Sequence, residues 1–134
     1  MTIEVKYFHV TTGKSINGKK IVPSSTIDFL VDGKEVVVSA TGNGPVDALY
    51  NAVNRLKSVN ERKPYLRWLE IRSSTDGSDA TGEANVTIID RMGKDNKSFF
   101  KGKSKSTDVL EAALLAYISA INQMLYPSTT QEQK

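Results

Sequence analysis

The sequence predicts an α+β fold built from two βββα units, and three observations carry that prediction. Groups of β-branched and aromatic residues precede each of two amphipathic helical stretches. Turn-forming residues punctuate those groups, most clearly Asp32-Gly33, where both positions tolerate positive φ. The two halves also match at a shift of 64 residues, which lays Val46, Leu49, Tyr50, Val53 and Lys57 on Leu110, Ala113, Leu114, Tyr117 and Ile121. Asp47, Ala48 and Ala52 fall on Glu111, Ala112 and Ala116, and only the lysine breaks the apolar match. The repeat implies a pseudo-twofold relation between a first unit, 1–62, and a second, 63–126, with a polar tail at 127–134 that frays.

Each element has its own signal. Residues 4–10 alternate Val5, Tyr7 and His9 with Lys6, Phe8 and Val10, a strand apolar in part on both faces. A polar loop with an Asn17-Gly18 turn follows. Strands are expected at 25–31 and 34–41, joined by the Asp32-Gly33 hairpin. Pro45 suits the first turn of a helix, where its missing N–H is not needed. That helix fades through 57–63, with Pro64 barring continuation. The second half repeats the plan with strands at 65–74, 84–90 and 97–104 and a helix over 106–125, capped by Ser106 or Thr107. Asp108 and Glu111 then face its positive end favourably. Trp68, Phe99 and Phe100 are assigned to the core.

Composition closes off several classes of function. The chain of 134 residues has no cysteine, so disulfides and thiolate metal sites are excluded. No apolar run reaches the roughly 20 residues of a membrane helix, and the first ten residues lack the layout of a signal peptide. A cytoplasmic protein without membrane contact is expected. Net charge is +3, but the lysines lie among acidic residues. Lys97, Lys101, Lys103 and Lys105 make an RNA-binding sheet one reading and a solvated strand face another; the second is preferred, and no nucleic acid is expected. His9 is the only histidine, so no nucleophile–base set and no metal shell can be assembled. No catalytic residue, metal or cofactor is expected in this domain.

Two segments invite a ligand. Gly42-Asn43-Gly44 opens the first helix, and glycines without Cβ let a small carboxylate or phosphate reach free helix N–H groups. A tight structural turn is the other reading, and Asp47 stands where a dinucleotide fingerprint needs a small residue. Two Gly-Lys-Ser triplets, at 13–15 and 102–104, lack the upstream glycine of a phosphate loop. The acidic loop 75–83 is longer than a hairpin requires, which suits either a ligand contact or a tolerated surface loop.

The stretches 42–56, 76–83 and 106–122 resemble, in this order, motifs of the regulatory domain of 2-isopropylmalate synthase, a domain shared with citramalate synthases. The resemblance spans residues 4–125. It implies an intertwined homodimer of two βββα units, and a feedback sensor in which leucine inhibits a separate TIM-barrel catalytic domain. That barrel, an acyltransferase condensing acetyl-CoA with a 2-oxo acid, would carry the metal and catalytic residues, so this chain is expected not to be an enzyme itself. It would be an excised domain or a stand-alone regulator. Carried over by motif, Gly42, Gly44, Pro45, Val46 and Asp47 approach the effector, Asp79, Ala80 and Gly82 close over it, and Ser106, Thr107, Asp108 and Val109 open the second helix beside it. Leu66, Leu69 and Ser73 line its side-chain pocket by strand position alone. Ser104 departs from the family, which often has glycine there. The alternatives are isoleucine binding, as in a citramalate synthase, or a scaffold that only dimerises.

Overall fold

The computed structural model describes residues 2–13, 21–73, 81–93 and 98–127. It divides the chain into two compact units, Met1–Leu56 and Lys57–Lys134. The first holds β1 (Ile3–Thr11), β2 (Ser24–Val31), β3 (Lys34–Thr41) and α1 (Pro45–Asn54). The second holds α2 (Lys57–Arg62), β4 (Pro64–Ser73), β5 (Gly82–Asp90), β6 (Phe99–Ser106) and α3 (Val109–Leu125). Each unit has an antiparallel three-stranded sheet in chain order, followed by a helix. This is the α+β architecture of two βββα units. The segment expected to fade after α1 instead turns once at Arg55-Leu56 and forms α2, and Pro64 starts the next strand.

In the first unit, the β2–β3 hairpin turns through Asp32 and Gly33 with φ of 52° and 82°. Only residues tolerant of the left-handed region hold that turn cheaply. Alternation along β2 sends Ser25, Ile27 and Phe29 inward, where α1 covers them with Ala48, Leu49, Ala52 and Val53. β1 does not alternate strictly. A bulge between Val5 and Tyr7 sets Val5, Phe8 and Val10 against Phe29, Ile27 and Ser25, all on the α1 side, and Tyr7 and His9 on the other. The two-faced apolar pattern expected of this strand is therefore one face read through a change of phase.

The second unit repeats the device. A bulge between Leu66 and Trp68 puts Leu66, Leu69 and Ile71 on the α3 side of β4, and Tyr65, Trp68 and Glu70 on the open side. α3 leans on β5 and β6, burying Ala84, Val86 and Ile88. It comes closest at Gly102, where a Cβ would collide with the Ala116 carbonyl oxygen and lie 2.7 Å from the Ala120 amide nitrogen. The glycine of the second Gly-Lys-Ser triplet thus serves helix packing. Because α3 leaves β4 uncovered, Leu66 and Ile71 remain 37% and 38% exposed. Two core assignments are overturned: Trp68 and Phe99 are 59% and 56% exposed, because both stand on the face opposite α3, and Phe100 is half-buried on the α3 side. The Arg62 guanidinium pairs with the buried Asp90 carboxylate, fastening α2 to the end of β5. No helix among the described residues is long and apolar enough to cross a membrane.

Candidate functional site

The two helix starts, equivalent in the repeat, are chemically unlike. At α1, Gly44 is the N-cap and no side chain caps the free N–H groups. The Asp47 carboxylate turns back to accept the Asn43 N–H at 2.8 Å and the Asn51 amide at 3.4 Å. It fills the space beside Gly42, where a Cβ would lie 2.7 Å from Asp47 Oδ2 and 2.5 Å from the Ala48 nitrogen. Gly42 is therefore required by the close approach of the α1 backbone, with the Asp47 carboxylate packed beside it. A Cβ at Gly44 would meet nothing within 4 Å, so approach to this helix start remains open over Gly44, beside Pro45 and the half-buried Val46.

At α3 the cap is Asp108, in place of the Ser106 or Thr107 that the sequence suggested. Its carboxylate accepts the Leu110 N–H at 2.9 Å and the Glu111 N–H at 3.4 Å. The reason is reach: the cap must stand directly before Val109 to meet those two amides. Ser106 supports it from behind, its hydroxyl accepting the Asp108 N–H at 3.0 Å and donating to Glu111 Oε2 at 2.6 Å. Thr107 is exposed. The α3 start thus has its free N–H groups capped by a carboxylate, whereas the α1 start leaves them without a side-chain cap, its Asp47 carboxylate being turned towards Asn43.

Beside the α3 start, on the uncovered side of β4, is an open hollow of about 260 Å³ lined by Ile71, Arg72, Ser73, Thr81, Gly82 and Val109. The ladder builds it, since Gly82 pairs with Ser73 on one side and Ser106 on the other. A Cβ on Gly82 would come within 3.4 Å of Val109 Cγ2 and narrow the hollow. The sequence-derived residues Ser73, Gly82 and Val109 meet here, with Leu69 and Leu66 further along the same face of β4. Asp79 and Ala80 lie outside the described residues. Gly42, Gly44, Pro45, Val46 and Asp47 make up the α1 start in the first unit. Sequence reading missed Ile71, Arg72 and Thr81. Ile71 was recoverable, because it falls between Leu69 and Ser73 on the period-two face.

The chemistry of the hollow is mixed. Ile71 and Val109 are apolar and 38% and 45% exposed. The Arg72 guanidinium pairs with Glu70 at 3.6 Å and lies near Glu83, on the face of β4 opposite Ile71 and Ser73. Across the sheet, Glu83 is only 11% exposed on its side chain, with Lys103 and Lys105 each 3.7 Å away. A hydrogen bond from Asn85, at 3.2 Å, holds its carboxyl below the ordinary 4.5, helped by the two lysines and Arg72 against the opposing effect of burial. No group of three His, Asp or Glu side chains among the described residues could hold a metal ion.

Known proteins supply the context for this geometry. Residues 1–125 match the family described as the LeuA allosteric (dimerisation) domain. The chain is similar to 2-isopropylmalate synthase of Carboxydothermus hydrogenoformans, 35% identical over 99% of this chain and 24% of that protein. It is 40% identical to 2-isopropylmalate synthase of Ruminiclostridium cellulolyticum over 81% of this chain and 20% of the relative. For 2-isopropylmalate synthase of Dictyoglomus turgidum the figures are 37%, 90% and 22%. The chain thus spans about a quarter of the length of these relatives. The matched span covers nearly the whole chain, and the chain belongs to the LeuA allosteric (dimerisation) domain family.

Proposed function

We propose that this chain is the feedback sensor of a cytoplasmic 2-isopropylmalate synthase, binding leucine as a homodimer and inhibiting an acetyl-CoA-condensing catalytic domain. One observation carries the reading: in a chain of an allosteric family, the hollow at the α3 start combines an apolar wall with two hydroxyl side chains beside the Asp108 carboxylate. Those are the parts that an α-amino acid requires. The Ser73 and Thr81 hydroxyls suit its carboxylate as hydrogen-bond donors. Ile71 and Val109, extended by Leu69 and Leu66, suit a branched side chain, whose burial contributes roughly 1.5–3 kcal/mol. Asp79 and the Asp108 carboxylate suit the ammonium. The domain itself needs no cofactor in this reading, since nothing in amino-acid binding calls for one.

The uncovered face of β4 supports the dimer. Leu66 and Ile71 stand in water on the side that α3 leaves bare, and an intertwined second copy is the cover that a dimerisation domain brings. Inhibition then requires leucine to bind the active and inactive arrangements unequally, by a coupling of about 1–3 kcal/mol.

Calorimetric titration of leucine, isoleucine and valine, with alanine as control, tests the proposal. Leucine is expected to bind saturably and most tightly, and Ser73→Ala to weaken it by roughly two- to tenfold, as loss of a neutral hydrogen bond does. Preference for isoleucine would place the chain in a citramalate synthase instead. A folded dimer that takes up none of them would leave it a dimerisation scaffold.

A further inference from the structure

On the face of the β4–β6 sheet opposite the effector hollow lies a second and larger hollow, of about 480 Å³. It is lined by Arg67, Trp68, Thr87, Phe99 and Lys101. We propose that it binds a planar, negatively charged ligand of mononucleotide size, independently of any effector at the α3 start.

The sheet register builds the site. Trp68, Thr87 and Lys101 form one rung across the three strands, and Tyr65, Ile89 and Phe99 form the next. Two aromatic side chains from opposite edge strands therefore flank a floor of Thr87. Both are more than half exposed, although each would lose exposure at once by moving to the α3 side. Large aromatics left in water on one spot of a small domain mark a binding surface. The third ring, Tyr65, is already engaged, with the Arg91 guanidinium 5.7 Å above its centroid. Trp68 and Phe99 have no such cover among the described residues.

Charge selects the ligand. Neither Arg67 nor Lys101 makes an ion pair among the described residues, and the hollow's lining contains no carboxylate. The bulge at Arg67 matters here, because it lets two successive residues, Arg67 and Trp68, line the same hollow. Rings that stack plus cations that are unpaired fit a base carrying a phosphate. Length decides between one nucleotide and a strand. The rung beyond Trp68 holds Glu70 and Lys103, and the next holds Arg72, Glu83 and Lys105; Glu83 engages both lysines and Glu70 engages Arg72. A polynucleotide needs a continuous cationic track, and here the unpaired cations stop at the Trp68 rung, those beyond it being held by carboxylates.

Trp68 is the only tryptophan in the chain, so its fluorescence reports on this hollow alone. The full chain is titrated with AMP, and separately with adenosine, inorganic phosphate and a single-stranded oligouridylate. AMP is expected to change the emission saturably, with adenosine and phosphate each weaker by roughly tenfold, since each keeps only half of the recognition. The exposed double variant Arg67→Ala/Lys101→Ala is expected to melt at the parent's temperature and to bind AMP at least roughly tenfold more weakly. Emission that AMP leaves unchanged would overturn the proposal, as would AMP binding indifferent to the double variant. Oligouridylate binding tighter than AMP and falling steeply with salt would give the face to a nucleic-acid strand and overturn it equally.

Discussion

Single residues decide where this fold is intolerant. Gly102 is the firmest case, because the α3 backbone lies where its side chain would be. Gly102→Ala must push α3 off β6, and we expect a loss of about 1–3 kcal/mol or more, measured by urea unfolding. Parent-like stability would mean that α3 does not approach β6 as described. Asp108 offers a gentler test. Asp108→Ala removes the side chain that caps Leu110 and Glu111, for an expected cost of about 1 kcal/mol, whereas Thr107→Ala should cost almost nothing. The reverse order in a thermal melt would restore the cap to the residue first favoured on sequence grounds. That misassignment has a simple origin. Ser, Thr and Asp are all good caps, so composition leaves three adjacent candidates, and only the backbone position of Val109 separates them.

At the scale of elements, the strands, hairpin and helices were legible because each carries its own periodicity and turn residues. Residues 34–41 match β3 to the residue, and Asp32-Gly33 turns as its chemistry demands. What was not legible is what depends on a neighbour. A bulge is a property of a pair of strands, so nothing in residues 4–10 announces that the phase changes at Lys6. Trp68 and Phe99 look like core residues for the same reason: which face of a sheet its helix covers is settled outside the strand. The candidate site was half legible. Gly82 and Val109 were expected by motif and Ser73 by strand position, while Thr81 escaped because a lone threonine is ordinary until a hollow is seen beside it. The β5–β6 pairing also predicts a pH response. Glu83 has a lower carboxyl pKa folded than its ordinary 4.5, so its contribution is complete above that value and is lost as pH falls through the depressed one. Asn85→Ala removes the chief cause of the depression. The variant's stability should therefore approach the parent's as pH drops below 4.5 in a denaturation series, and a constant gap at all pH values would refute the assignment.

At the scale of the whole molecule, two similar units carry dissimilar helix starts, and the proposed sensing role has a thermodynamic consequence. A ligand that binds only the folded dimer must stabilise it by mass action. Leucine at a hundredfold excess over its dissociation constant should therefore raise stability by about 2.7 kcal/mol, seen as a higher melting temperature, and alanine should not. A melting temperature indifferent to leucine, in protein shown to be dimeric, would separate dimerisation from sensing.

The paired bulges have one more consequence, and it concerns chain length. In β1 the residue without a rung partner is Lys6, and in β4 it is Arg67. Removing any neighbour would shift every side chain beyond it to the wrong face of the sheet. Removing either of these two would leave all other partners opposite one another. Each strand thus has a single place where one codon can be lost without rewriting the rest, and in β4 that same residue lines the larger hollow. A gap at that place between two related sequences would mark a difference in what the open face holds, with the fold beneath it unchanged.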